Sequence, residues 1–438
     1  VHDLDSALEV IRARDDTAAK HAHALWQVMR ATAAHPTKVT RYEVQQMVWD
    51  TLPLAARRPD GADAFDDLHD TCGAFAELLD LLGHHDYAHI CRSDTTRHIL
   101  DAAADDAAYR KLVELAWQSS AVRPPDTPTM TWSALPGEVE TALRAAAGRM
   151  LEEAIDAGTL RADGADVDER VDLVMRLLTS PESEGKDTWF GKLLDERLDL
   201  WTRAHGSQTR RELLARLRPE VRRTPDADVG DLPALESLLD ACRGTGARLT
   251  ARGYLPTDLV AELAAIMPAC RELSSGGRGE TSLPPVRILR ELATDFGLIE
   301  RAGPRLCLTA RGAAVVDDPD ALLKAVGEVI VESIHPALAV IQEVTFAALL
   351  LEDRMAPDRI FSKITHVLDE GGWTDQDDTP LGAAHAEKVG SWFLQRLRTL
   401  DALDADWTAR RVGLTDAGFS IARWALRTQV LFPDNAAE

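Results

Sequence analysis

The sequence predicts a mainly α-helical chain, with a helical N-terminal half followed by two helical repeats that each close on a small β-hairpin. Three observations carry this. Apolar residues recur at spacings of three and four through most of the 438 positions, the period of a helix that buries one face. Composition leans on Ala, Leu, Arg, Asp and Glu, which favour helix, and only 4 Tyr and 9 Phe are available to build a sheet. The same ending, Leu-Thr-x-x-Gly, closes two short β-type runs, at Leu308-Thr309-Ala310-Arg311-Gly312 and at Leu414-Thr415-Asp416-Ala417-Gly418. Self-similarity of this kind marks a duplicated module.

In chain order, Leu25-Trp26-Val28-Met29 and Val44-Met47-Val48 lie on amphipathic windows, and Thr40 is placed to cap the second. From Phe65 to Leu82, Leu68, Cys72, Phe75, Leu78, Leu79 and Leu82 form one apolar helix face that ends at Gly83. A further helix covers Tyr109 to Trp117. Arg123-Pro124-Pro125-Asp126-Thr127-Pro128 is a linker. Helical segments follow over Gly137–Leu160, Val167–Leu178 and Trp189–Trp201, broken at Ala162-Asp163-Gly164 and Ser180-Pro181-Glu182-Ser183. A chain of this length holds about three domains by a soft prior. The breaks suggest helical domains at 1–122 and 131–223, with the two repeats at 231–318 and 319–438.

The first repeat reads helix (Leu232–Cys242), short strand (Ala247–Thr250), helix (Pro256–Met267), Gly-rich loop (Ser274–Gly279) and helix (Pro284–Phe296). Its hairpin joins Leu298–Arg301 to Arg305–Thr309 across Ala302-Gly303-Pro304. The second has helices at Ala337–Glu352, Pro357–Leu368 and His385–Leu400, then a hairpin from Leu403 to Leu414. Counted from Leu298 to Leu308 and from Leu403 to Leu414, the second hairpin is one residue longer.

Gly297-Leu298-Ile299-Glu300-Arg301 followed by Leu308-Thr309-x-x-Gly312 resembles the hairpin of MarR/PadR-type winged-helix regulators. The stretch from Leu249 to Asp318, with Leu249-Thr250-Ala251-Arg252-Gly253-Tyr254-Leu255, is similar to the C-terminal part of uncharacterised actinobacterial proteins. The first resemblance implies two winged-helix units whose pre-hairpin helix reads DNA. Winged helices also serve as protein contacts, so the likeness bears on fold more than on function.

Those helices differ in what they offer a duplex. The first begins Leu283-Pro284-Pro285-Val286, with no side-chain donor for a base edge. Its basic residues are Arg287 and Arg290, and Arg287 has an alternative partner in Glu291 at i,i+4. In the second, Lys388, Ser391, Gln395 and Arg398 form an acid-free polar stripe, opposite Val389, Phe393, Leu397 and Leu400. Arg410 and Arg411 fall on its hairpin, whose base carries Asp401 and Asp404. These eight polar residues are the candidate DNA contacts.

Bulk charge constrains the reading. With 72 acids against 49 bases, the formal charge of −23 disfavours general coating of nucleic acid or anionic membrane. The run Thr209–Arg223 nevertheless holds Arg210, Arg211, Arg216, Arg218, Arg222 and Arg223 against Glu212 and Glu220. It is either a solvated helix with Leu213, Leu214 and Leu217 inward, or a patch for phosphate or an acidic partner. The five cysteines are scattered, odd in number and without a C-x-x-C pair, which suits a reducing cytoplasm. No leader is visible at Val1–Asp5, and the run Ala347–Leu351 is too short to span a bilayer. His69, Cys72, His84, His85, His89 and Cys91 are the densest group of possible metal ligands, at spacings that match no zinc signature. The Ser274–Gly279 loop lacks the Lys-Ser/Thr of a phosphate loop. No catalytic motif and no cofactor is indicated. The first expectation is a cytoplasmic regulator that binds double-stranded DNA. The alternative is a non-enzymatic scaffold whose repeats contact another protein, and the weaker one a metal-dependent enzyme. Oligomeric state is not legible in the sequence.

Overall fold

The computed structural model describes residues 2–31, 39–57, 67–161, 165–181, 187–225, 230–271, 279–331, 335–375, 377–406 and 410–433. Helix takes 68% of the described residues and strand 6%, with two small antiparallel sheets. The chain divides into two compact units, Val1–Glu196 and Arg197–Glu438.

Unit one contains α1 (Leu4–Arg12), α2 (Asp16–Ala31), α3 (Arg41–Gln46), a π-helical turn (Met47–Thr51) and α4 (Leu52–Ala56). They are followed by α5 (Leu68–Leu81), α6 (His85–Arg92), α7 (Asp94–Asp101), α8 (Asp106–Gln118), α9 (Glu138–Asp156) and α10 (Val167–Thr179). The apolar stripe on α5 is its core: Cys72, Phe75, Leu78 and Leu79 are buried against α2 and α6. Gly83, with φ +87°, takes the left-handed turn that ends this segment. Phe65, assigned to the same helix from sequence, lies outside the described residues. Thr40 caps α3 in a reciprocal box. Its hydroxyl accepts from Glu43 N at 3.2 Å, and the Glu43 carboxylate accepts from Thr40 N at 2.9 Å. The π turn then carries Asp50 to Trp117, whose indole N–H donates to Oδ2 at 3.1 Å.

α11 (Trp189–Arg203) crosses the boundary between the units, and α12 (Gln208–Arg222) follows it. Next come α13 (Pro233–Ala241), β1 (Ala247–Arg248), α14 (Thr257–Ile266), α15 (Pro268–Arg271), α16 (Pro284–Asp295), β2 (Ile299–Ala302) and β3 (Arg305–Leu308). α17 (Ala310–Val315) and α18 (Pro319–Ile330) lead to α19 (Pro336–Leu351), α20 (Pro357–Glu370) and α21 (Ala383–Thr399). The chain closes with β4 (Leu403–Asp406), β5 (Arg411–Leu414) and α22 (Asp416–Leu431). α19 is the central element: its residues from Val340 to Leu349 are all buried, and it packs on α12, α20, α21 and α22.

The repeat holds at the level of hydrogen bonds. The first sheet has the order β1-β3-β2, with Ala247 opposite Leu306. Met355 bridges Val412 on β5 in the equivalent way, so the second copy has a one-residue counterpart of β1 that the sequence did not signal. Thr309 Oγ1 accepts from Gly312 N at 3.0 Å and donates to Gly297 O at 2.5 Å. Thr415 Oγ1 accepts from Gly418 N at 3.1 Å and donates to Asp401 O at 2.8 Å. The hydroxyl thus caps the next helix and ties it to the hairpin's entry. Each glycine is required by crowding, since a Cβ on Gly312 would overlap Leu298 O and one on Gly418 would overlap Ala402 O.

Register corrects the expected hairpin length. Ile299 pairs with Leu308 and Leu403 with Leu414, so Leu403 corresponds to Ile299 and not to Leu298. The second hairpin is therefore two residues longer. The reason is that Ala402, not Leu403, follows the left-handed residue Asp401 (φ 58°), as Leu298 follows Gly297 (φ 67°).

Candidate nucleic-acid interface and a polar cleft

On α21 the exposed face carries Lys388, Ser391 and Gln395, while Phe393 and Leu397 are buried. Arg398, the last residue of the expected stripe, is only half-exposed and makes interactions of its own. Arg411 opens β5 and Arg410, with φ 50°, precedes it in the turn. Both are exposed. The acids at the hairpin base have separate fates. Asp404 pairs with Arg354, and Asp401 has its carboxyl pushed up by burial. Glu387 is exposed beside Lys388 and dilutes the positive charge of this face.

The first copy is different. Arg290 is not on an open face: its guanidinium lies 2.8 Å from the buried Glu280 carboxylate and donates to Gly253 O at 3.0 Å. Glu280 in turn accepts from Leu255 N at 2.7 Å. Arg290 thus ties α16 to the loop between β1 and α14. Arg287 is exposed and sits 3.6 Å from Glu291, the alternative read from their spacing. α16 also packs against α21. Between them Arg396 pairs with Asp295 at 3.2 Å and stacks over exposed Trp392 at 4.5 Å.

The arginine run on α12 buries Leu213, Leu214 and Leu217, and exposes Arg211, Arg216, Arg222 and Arg223. Arg218 pairs with Asp199. Arg210 is not part of any patch. It is 1% exposed, pairs with Glu343 through two hydrogen bonds of 2.8 and 2.9 Å, and donates to Trp201 O and Ala204 O. Spacing alone could not distinguish it from its neighbours. The signal available was Glu343, the one charged residue in a largely apolar helix.

The candidate histidines and cysteines of unit one, as far as they are described, do not gather into one group. His69 pairs with Asp101 and His85 with Asp80, while Cys72 and Cys91 are buried between α5 and α6. Among the described residues no three His, Cys, Asp or Glu side chains are grouped to hold a metal ion. The Ser274–Arg278 segment lies outside the described residues.

Two of those histidines instead line a cleft of about 220 Å³ with Arg41, Tyr87, Glu152 and Asp156. The first turn of α6 forms one wall and the ends of α3 and α9 the others. Glu152 is buried and accepts from Arg41 N at 2.8 Å and from the Tyr87 hydroxyl at 3.1 Å. Burial raises its carboxyl above the usual range, against the lowering effect of those two donors. Burial, then Glu152, push the Tyr87 phenol up. His84 stacks on Tyr87 at 5.7 Å, and burial lowers its pKa. Arg41, Tyr87 and Glu152 were not singled out from sequence, because Arg41 and Glu152 are 111 residues apart and carry no motif.

Comparison of the chain with protein-family models, curated proteins and solved structures gives no match.

Proposed function

We propose that Arg197–Glu438 is a tandem winged-helix module that engages double-stranded DNA through its second repeat. The order helix, strand, helix, helix, hairpin in the first copy, matched in the second with a single bridging residue in place of the strand, supports the winged-helix assignment. One observation carries the choice of repeat. Exposed Lys388, Ser391 and Gln395 on α21 stand with Arg410 and Arg411 on the following hairpin, whereas α16 has committed Arg290 to Glu280 and Arg287 to Glu291. Lys and Arg neutralise phosphates, and Ser and Gln supply hydrogen bonds to base edges or backbone.

The test is a salt titration of duplex binding by fluorescence anisotropy. Each phosphate contact contributes about 0.9 to the slope of log K against log salt. Replacing Lys388, Arg410 and Arg411 together by Gln is expected to flatten the slope by close to three units on that scale. Arg287→Ala changes it by about one at most. An unchanged slope in the triple variant overturns the assignment to the second repeat. A second reading, a scaffold that contacts protein, is favoured by exposed Trp392 with Arg396 stacked on it. Aromatic and Arg side chains are enriched at such contacts. Absence of duplex binding even at low salt selects that reading.

A further inference from the structure

We propose that Cys242 and Cys307 form a redox modification site in the first repeat, a thiol pair that a small hydroperoxide converts to an intramolecular disulfide. The inference is independent of the DNA reading and rests on where the fold brings two sulfurs together. Cys242 ends α13, and Cys307 lies in β3. Their backbones meet directly: Leu308 N, the amide that follows Cys307, donates to Cys242 O at 3.3 Å. Hydrogen-bonded backbones lie about 4.8 Å apart, inside the Cα separation of about 4.4–6.8 Å that a disulfide spans. Both side chains then turn to the same peptide unit, Gly246–Ala247. The Cys242 sulfur accepts from the Ala247 amide. Cys307 Sγ rests against Gly246, so closely that a Cβ there would lie 2.6 Å from it.

Access divides the roles. Cys307 is partly exposed and Cys242 is buried, and the sulfur that solvent reaches is the one a peroxide meets first. The Cys307 sulfur attacks one peroxide oxygen and the O–O bond breaks. The other oxygen leaves with the thiol proton as water, and Cys307 becomes a sulfenic acid. The Cys242 sulfur then displaces that hydroxyl: an S–S bond forms, the S–O bond breaks, and the Cys242 proton leaves with the oxygen as a second water. Two thiols lose two electrons in all, and one peroxide is reduced to two waters. Burial pushes the Cys242 thiol up to about 11, against the lowering hydrogen bond from Ala247, which keeps it protonated and out of the first step. The other cysteines lack one requirement. Cys72 Sγ comes within 3.5 Å of Cys91 O, but both residues are buried, as is Cys270.

The experiment treats the reduced full chain with hydrogen peroxide and follows it by intact mass and by peptide mapping without reduction. The expected product has lost two hydrogens, joins the Cys242 peptide to the Cys307 peptide, and reverts with dithiothreitol. Cys72, Cys91 and Cys270 are expected to react at least about tenfold more slowly than Cys307. Cys242→Ala leaves the Cys307 sulfenic acid without a partner, and dimedone is expected to trap it there. Cys307→Ser, at the partly exposed position where folding is not at stake, is expected to abolish both the disulfide and the dimedone adduct, with circular dichroism unchanged. Three results each overturn the proposal: Cys307 oxidised no faster than the buried thiols, a Cys307 dimedone adduct in the original chain with no disulfide formed, or a first disulfide that pairs other cysteines or joins two chains.

Discussion

Replacing Arg210 by Met removes a guanidinium that is 1% exposed from a carboxylate, Glu343, that is 4% exposed. The two charges sit in the packed interior where α12 crosses α19, and two near-ideal hydrogen bonds join them. With about 4 Å between charge centres and an effective dielectric near 20, their attraction is about 4 kcal/mol. The same figure follows from the other direction, since breaking a buried pair from one side costs about 3–5 kcal/mol. Arg210 also satisfies Trp201 O and Ala204 O at the end of α11, and unmet buried acceptors add about 1–3 kcal/mol. Arg210→Met is therefore expected to destabilise unit two by about 4 kcal/mol, and Glu343→Leu by a similar amount. The double variant leaves no orphaned charge, so it recovers to within about 1 kcal/mol of the original chain or exceeds it. Urea unfolding of all four proteins, followed by tryptophan fluorescence and circular dichroism, yields the coupling energy. Additive losses in the double variant, or a loss below about 1 kcal/mol in Arg210→Met, would refute the claim that the pair acts as one buried unit.

Three further outcomes follow from the same geometry. The Glu370 carboxyl is held down at about 2, first by the Ser207 hydroxyl and then by the Thr209 amide and hydroxyl. A depressed folded pKa contributes stability that is present above the unfolded value and lost as pH falls toward 2. The melting temperature is thus expected to fall between pH 5 and 2 less steeply in Glu370→Gln than in the original chain. Asp50 behaves in the opposite sense: burial raises its carboxyl to about 6, so ionising it costs stability as pH rises from the unfolded value through 6. Asp50→Asn keeps an acceptor for Trp117 and is expected to stabilise by about 1–3 kcal/mol at pH 7.5 and not at pH 4; an equal effect at both pH values excludes titration as the cause. Gly312→Ala and Gly418→Ala each force a methyl onto a carbonyl oxygen and are expected to cost about 1–3 kcal/mol or more in urea titrations. Gly73→Ala, on an open helix face, is the control that gains about 0.4–1 kcal/mol.

What was legible in the sequence was what local physics determines. Thr40 is a cap because a hydroxyl before a helix has an amide to accept from, and the Leu-Thr-x-x-Gly signature locates both hairpins because Thr and Gly each do one local job there. Six helices of the second half, α13, α14, α16, α19, α20 and α21, likewise follow from periodicity, whereas α15, α17, α18 and α22 were not read from it. Side-chain commitments made across long separations were not legible. Arg287 and Arg290 look alike in a row of letters, yet one faces solvent beside Glu291 and the other is held by Glu280 and Gly253 O. Arg210 belonged on paper to a basic run, and only Glu343, which follows it at a separation of 133, takes it out of that run. The cleft in unit one failed to announce itself for the same reason, since its floor joins Arg41 to Glu152.

The duplication gives these commitments their meaning. Matched through the hairpin entry, where Leu298 corresponds to Ala402, Arg287 takes the place of Ser391 and Glu291 that of Gln395, while Arg290 takes that of Leu394. Where the first copy has an arginine–glutamate pair, the second has two uncharged polar side chains, both exposed. Where the first has an arginine bound to a buried carboxylate, the second has a buried leucine. An arginine–glutamate pair is self-satisfied and presents no net charge to a partner, whereas Ser391 and Gln395 retain donors and acceptors for one. The two repeats share a scaffold, and the differences at these three positions leave α21 the more available surface. That asymmetry is what a duplex-binding assay on the Lys388, Arg410 and Arg411 variant would detect, and an equal effect from Arg287→Ala would contradict it.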